Sequence, residues 1–316
     1  MRAASLAIAV ASACCFGFSG PMARYLGAAG LSPLEAVWVR MGGAGLLLIV
    51  ALAIVRPRAL RVPRDRLLFV GAYALVAVAA VQGLYFFMIT RLPVGIALLL
   101  EYLSPVLVVV WARFVRRLRL ARSAYVGAVI AVAGLAVVVE VWDGIRLDTL
   151  GLAVGLVAAA CSAGYFLMND AFSDDDLDPL GLIAWGMAGA AVVLLPLARP
   201  WNIDWTAFGR TATVGGHTLP VLGAALWLVL VATITAYVTG VIAVRRLSAV
   251  VGATVATLEV IAGAVVAWFL LGERLGGAQI IGGVVVLAGA LLAQSAAARP
   301  GTGPAVQLTP EASVAG

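Results

Sequence analysis

Apolar residues run in blocks of about twenty, separated by short segments where arginine, aspartate, proline and glycine concentrate. A helix of about 20 apolar residues crosses a bilayer core. Ten blocks reach that length, at residues 3–23, 33–55, 67–89, 94–115, 123–141, 149–169, 179–198, 219–244, 248–271 and 276–296. In lipid each backbone polar group must be satisfied within the protein, so each block is predicted to be a helix. Residues 199–218 form the longest internal connection. The tail from Arg299, RPGTGPAVQLTPEASVAG, has the Pro/Gly/Thr composition of a disordered end.

The pattern repeats. An offset of 155 aligns Arg91-Leu92 with Arg246-Leu247, Leu103 with Leu258, Phe114 with Phe269, Arg119-Leu120 with Arg274-Leu275, and Gly127 with Gly282. Earlier in the chain an offset of 146 aligns Leu6 with Leu152, Cys15 with Cys161, Met22 with Met168, and Pro33 with Pro179. An insertion in the 199–218 connection accounts for the change of offset. The organisation read from this is a first five-helix repeat at 1–146, a second at 147–296, and a tail at 297–316. Five is odd, so the second repeat enters the membrane from the opposite side. The expected fold is an all-α membrane protein of ten helices in two inverted repeats.

Composition agrees. Of 316 residues, 64% are hydrophobic and 11% charged, with mean hydropathy +1.10. A soluble domain is nearer half apolar and a quarter charged. The net charge of +6 comes with 21 arginines and no lysine, most of them in short loops. It reads as a topology signal and not as a nucleic-acid surface. With both termini cytoplasmic, 14 arginines fall on the cytoplasmic side and 6 on the other. The positive-inside rule prefers that orientation, in a plasma (inner) membrane. The acidic loop around Asp174–Asp178 runs against it, but acidic residues weigh little in the rule. The N-terminal MRAASLAIAVASACC has some features of a signal peptide. Its apolar run continues further, however, and the repeat counts it as a structural helix. Cys14, Cys15 and Cys161 lie in apolar runs without ligand spacing, and His217 is the sole histidine, so neither a metal nor a cofactor is expected.

The stretches RLPVGIALLLEYLSPVLV at 91–108 and TLEVIAGAVVAWFLLGERLGGAQIIGGVVVLAGALL at 257–292 resemble the drug/metabolite transporter superfamily, EamA type. The resemblance spans residues 3–296. The family's second half usually reads Leu-Glu-Pro; here it is Leu258-Glu259-Val260, while the first half reads Leu103-Ser104-Pro105. The fourth helix is also similar to that of threonine/homoserine exporters, including a Glu at 101 and a Pro four residues later. The resemblance implies a secondary transporter, an exporter of small amino acids or related metabolites; the inverted halves suggest alternating access, with protons as a coupling partner through Glu101. A cationic or amphiphilic drug or metabolite is the alternative cargo.

Glu101 and Glu259 each sit well inside an apolar run, where a charge costs about 3 kcal/mol on insertion scales. Such groups persist when they face a cavity or a partner. Two roles compete: a ligand for a substrate ammonium, and a site that loads and releases a proton. Hydrogen bonding that only fixes packing is the third reading. Pro105 lacks an N–H, and its ring clashes with the carbonyl of Glu101. A loosened backbone and a carboxyl then coincide, making both Glu101 and Pro105 candidates for coupling and gating. Arg40, in AVWVRMGGAGLLL, is about 10 Å deep by helical rise from Pro33. It either snorkels outward, pairs structurally, or binds a substrate carboxylate. Arg40 and Glu101 together would suit a zwitterion. Further substrate-binding candidates are Trp38, Gln82, Tyr85, Tyr102 and Asn169, with Tyr165 and Tyr237 behind them. Gln82 and Tyr85 are three residues apart and share a helix face. Gly127, Gly134, Gly282 and Gly289 read as close helix packing, and the resemblance associates those helices with homodimer contacts.

No G-x-x-x-x-G-K-[ST] occurs, so ATP is not read as the direct energy source. A sugar-phosphate carrier would want several deep cations, and the chain offers Arg40 alone. An intramembrane enzyme would need a Ser-His pair, paired aspartates or a metal triad on the helices, and none is present.

Overall fold

The computed structural model describes residues 2–117, 120–140, 147–171, 177–246 and 249–297. Side chains within 2–5, 243–246, 249–256 and 294–297, and those of Phe166, Asn169, Asp170 and Ala171, also lie outside the description. So does the expected tail beyond 297.

Helices dominate the described residues. They are α1 (Arg2–Gly17), α2 (Ser19–Ala28), α3 (Pro33–Val55), α4 (Leu67–Ala72), α5 (Val81–Met88), α6 (Val94–Glu101), α7 (Ser104–Phe114), α8 (Arg122–Val139), α9 (Thr149–Ala171), α10 (Pro179–Ala198), α11 (Val221–Leu226), α12 (Ala236–Arg246), α13 (Ala249–Leu271) and α14 (Gly277–Ala297). Seven helical stretches are long and apolar enough to cross a membrane: Leu6–Ala28, Pro33–Val55, Arg64–Met88, Val94–Phe114, Arg122–Val139, Pro179–Ala198 and Val221–Ile242. Three shorter apolar helices accompany them, at Thr149–Tyr165, Thr257–Leu271 and Gly277–Ala293.

Local chemistry sets the helix ends. Ser32 accepts from the Glu35 N–H while Glu35 accepts from the Ser32 N–H, a capping box that starts α3 directly at Pro33. This fixes the depth of Arg40, two turns further in. Asp178 caps α10 through the Leu180 N–H. Between α4 and α5, Tyr73–Ala80 is π-helical, and between α11 and α12 so is Trp227–Thr235. The two wide turns occupy matching places in the two halves. π-Helical turns are rare and concentrate at functional sites.

The packing respects the repeat. Helix α3 lies on α10, and α8 lies on α14. Helix α1 packs on α12 and α13, while its repeat counterpart α9 packs on α5, α6 and α7. Helix α10 meets the first π-helical stretch, and α3 meets the second. Exchanging the halves therefore maps contact onto contact. The α8–α14 seam is built from glycine. A Cβ on Gly127 would stand 2.7 Å from the Gly289 carbonyl oxygen, and one on Gly289 would stand 2.7 Å from that of Gly127. Gly134 and Gly282 form the same reciprocal pair. The glycine face is thus consumed inside the chain, as small residues allow.

The fold is mostly helical, as expected, with one addition: the 199–218 connection runs into an antiparallel hairpin, β1 (Thr211–Val214) with β2 (His217–Pro220). The signal was present in the sequence. Gly215-Gly216 lies between two short Thr-containing runs, and both glycines take positive φ, 59° and 85°, as a tight hairpin turn requires. His217, the sole histidine, is the first residue of β2.

Candidate functional site

Helix four of the first half is broken. Helix α6 ends on Glu101, and α7 begins at Ser104 with Pro105 in its first turn. Tyr102 has ψ near 4°, and the Leu103 N–H turns back to Leu100. Proline is accepted at a helix start because the missing N–H would be unpaired there anyway. In mid-helix it would have cost about 3 kcal/mol. The chain resolves the conflict by ending one helix and starting another, and the Glu101 side chain is left at the junction. It is half-buried, between buried Leu100 and buried Leu103. Glu259 on α13 is likewise half-buried beside buried Val260. Among the described residues neither carboxyl has a hydrogen-bond or ion-pair partner.

Arg40 is the opposite case. It is 1% exposed and the bulkiest of the fully buried side chains. Its Nε donates to Thr233 Oγ1 at 2.7 Å, one terminal nitrogen to Gln82 Oε1 at 2.5 Å, and the other to the Ala232 carbonyl at 3.4 Å. The guanidinium also lies over the Phe86 ring, 5.4 Å from its centroid. Thr233 itself donates to the Leu228 carbonyl, five residues back in the π-helical stretch. Arg40 therefore points inward, ties α3 to both halves, and is not paired with Glu101. Its direct partners are neutral, so its charge is balanced only at longer range. Glu101, Glu259, Tyr85 and Tyr237 form one electrostatic neighbourhood with it.

The other candidates divide. Gln82 is half-buried and committed to Arg40. Tyr85 is buried, and its hydroxyl stands 2.6 Å from where a Cβ on Gly20 would lie. Tyr102 and Trp38 are half-buried; the Trp38 indole Nε1 is itself buried with no hydrogen-bond partner. Pro105 is buried at the break. The Asn169 side chain lies outside the described residues. The structure thus brings Arg40, Gln82, Glu101, Glu259, Tyr85 and Tyr237 into one neighbourhood. Thr233, which sequence reasoning missed, belongs with them. A threonine in an apolar run, with Thr235 and Thr239 close by, gives no signal of its own until a π-helical turn aims it at an arginine. Among the described residues no group of three His, Cys, Asp or Glu could hold a metal.

Glu273 is a second residue that mattered more than its sequence suggested. Helix α13 closes at Leu271, Gly272 takes φ +68°, and Glu273 is turned back toward the bundle. One carboxylate oxygen accepts from Arg24 at 3.2 Å, the other from the Val94 N–H at 2.8 Å. Burial pushes the Glu273 carboxyl up from its ordinary range, while the Val94 N–H and Arg24 act in the opposite sense.

The model of the EamA-like transporter family matches residues 3–140 and again 149–294. The chain belongs to the EamA-like transporter family. Its two matched segments are the two halves whose contacts interchange, and the multi-pass membrane character follows from the family and the apolar helices together. Among relatives of this EamA-like protein, the uncharacterized transporter YwfM of Bacillus subtilis (strain 168) is 24% identical over 239 residues, covering 75% of this chain and 76% of that one. A solved crystal structure shares the fold with TM-score 0.60 at 19% identity, covering 93% of this chain and 98% of its own. Membership carries transport, a small-molecule substrate and a lipid bilayer as this protein's setting.

Proposed function

We propose that this EamA-like protein is a secondary active exporter of small amino acids or related amine metabolites, working by alternating access between two inverted five-helix halves in the plasma membrane, with both termini cytoplasmic. The observation that carries the reading is a pair of half-buried carboxyls, Glu101 and Glu259, without a hydrogen-bond or ion-pair partner among the described residues, one of them at the break in helix four. An intramembrane carboxyl without a partner is costly unless a ligand or a proton satisfies it during the cycle. Either occupant suits a transporter, and proton exchange at Glu101 would couple flux to the proton gradient. The protein is read as a transporter and not an enzyme.

Arg40 bears on the substrate. Its buried donors are engaged by Thr233, Gln82 and Ala232, so the accessible chemistry is weighted toward anionic groups and therefore toward the ammonium end of a substrate. That same weighting favours a cationic or amphiphilic cargo as the second reading. The experiment is counterflow of labelled threonine, homoserine and a wider amine panel in proteoliposomes, wild type beside Glu101→Gln. Saturable exchange that the variant loses supports the proposal. Folded wild-type protein that exchanges no amino acid but exchanges organic cations would replace it with the second reading.

A further inference from the structure

The end of the bundle that carries the β-hairpin is closed by contacts between the halves. Arg24, at the end of the first apolar helix, reaches both Glu273 and the Leu92 carbonyl, each at 3.2 Å. Glu273, just past α13, also holds the Val94 N–H, the first N–H of α6. That N–H belongs to the set a helix start leaves unpaired, and Pro93 before it has no side chain able to cap. The cap is supplied instead from a residue 179 positions away. Helix α6 is only eight residues long, and its other end is Glu101. Whatever holds its start therefore also sets the position of the Glu101 carboxyl. Next to Arg24, the buried Tyr25 hydroxyl lies 3.3 Å from the carbonyls of Val214, His217 and Leu270, joining the same helix to the hairpin and to α13.

Two details mark the ion pair as a contact built to release. It is partly buried, with side-chain exposures of 30% for Arg24 and 17% for Glu273, so it is not sealed in the core and both charges have a route to water when the contact breaks. The Arg24 Nε is buried with no partner, so the guanidinium is held by one terminal nitrogen rather than by a two-point fork. The contact is also one-sided. The repeat places Leu118 opposite Glu273 and Asp170 opposite Arg24, so the sequence cannot rebuild the same pair at the other end.

We infer that Glu273 is a positioning residue and inter-half latch: through Arg24 and the Val94 N–H it closes the hairpin end and holds the half-helix that presents Glu101, and it lets go when that end opens. The inference rests on the alternating-access reading above.

The test reads distance and needs no substrate. With Cys14, Cys15 and Cys161 replaced by serine, spin labels are placed at two exposed positions, Thr90→Cys on the turn before α6 and Gly277→Cys at the first residue of α14. Pulsed electron–electron resonance on the full chain then reports the separation of those turns. Glu273→Ala is expected to raise the long-distance population by roughly five- to thirtyfold, the equilibrium shift for losing one charge-assisted contact. Arg24→Ala should move it in the same direction, and Arg24→Lys should largely restore the wild-type distribution. Arg91→Ala, which removes the exposed pair with Asp148 at the same end, should leave it unchanged. An unmoved distribution in Glu273→Ala, or an equal shift in Arg91→Ala, overturns the latch. Should Glu273→Ala aggregate, Glu273→Gln and Arg24→Ala carry the same comparison. Shifted distances with no amine counterflow would sink the substrate reading alone. Normal counterflow with unmoved distances in every latch variant would sink the latch alone.

Discussion

Helix α13 runs from Ala249 to Leu271 without interruption, whereas its counterpart in the first half stops at Glu101 and restarts at Ser104. The repeat aligns Pro105 with Val260 and Ser104 with Glu259. The first copy therefore kept the helix-breaking residue and carries its carboxyl at the break, while the second copy carries a carboxyl on a continuous helix. Both carboxyls are half-buried and without a partner among the described residues, so burial does not separate them. Backbone does. Glu101 sits at a junction of two short helices, and Glu259 on one continuous helix. On the alternating-access reading proposed above, that difference would give the moving part of a cycle to the first half and make Glu259 a more static wall of the site.

The largest expected effect breaks the comparison at its chemistry. Glu101→Gln should lower counterflow by about 10- to 100-fold, the loss of one charge-assisted hydrogen bond to a cationic group. Glu259→Gln should lower it less. Equal losses in the two variants would remove the distinction drawn from the backbone. Next comes the break itself. Pro105→Ala permits α6 and α7 to join, and is expected to slow turnover about tenfold, a barrier change of about 1.4 kcal/mol, with membrane insertion unaffected. Turnover at the wild-type rate would reduce Pro105 to a kink without consequence.

Smaller effects sharpen the contrast between engaged and partnerless charges. Arg40→Ala strips Thr233 and Gln82 of a shared donor and should destabilise the folded protein by about 1–3 kcal/mol. The check is thermal unfolding in detergent, where a melting temperature unchanged within a degree would show that Arg40 is not a clamp. The smallest effect concerns helix starts. Asp148 caps α9 locally through the Gly151 N–H at 2.6 Å, whereas α6 is capped from across the molecule by Glu273. That backbone bond, with Arg91, holds the Asp148 carboxyl below its ordinary range. A depressed carboxyl stabilises above its unfolded pKa and loses that contribution as pH falls through its folded pKa. The melting-temperature gap between wild type and Asp148→Asn should therefore be present at pH 7 and close in acid. A gap that persists at pH 3 would show that the charge of Asp148 is not what stabilises the start of α9.

Much of this was legible in the sequence because lipid removes alternatives. A twenty-residue apolar block has essentially one way to satisfy its backbone, so helix positions followed from hydropathy, and the constant offsets followed from the repeat. Pro105 was equally readable, since its missing N–H acts on its own helix whatever surrounds it. The hairpin at 211–220 has only a local turn signal, Gly215-Gly216, which hydropathy along the apolar blocks does not register.

What lay beyond the sequence is what depends on partners far along the chain. Arg40 could have snorkelled, bound a substrate or paired, and only packing against Thr233, 193 positions away, and Gln82 set its direction. Nothing in the sequence around Glu273 points to Val94, and only the fold shows that it caps a helix in the other half. The sequence by itself determined the number of apolar blocks, the repeat, and the places where backbone must break, since these are local consequences of side-chain type. Tertiary structure alone decided which buried charges are engaged and which are left partnerless, because that depends on which helices meet, and hydrophobicity is blind to it.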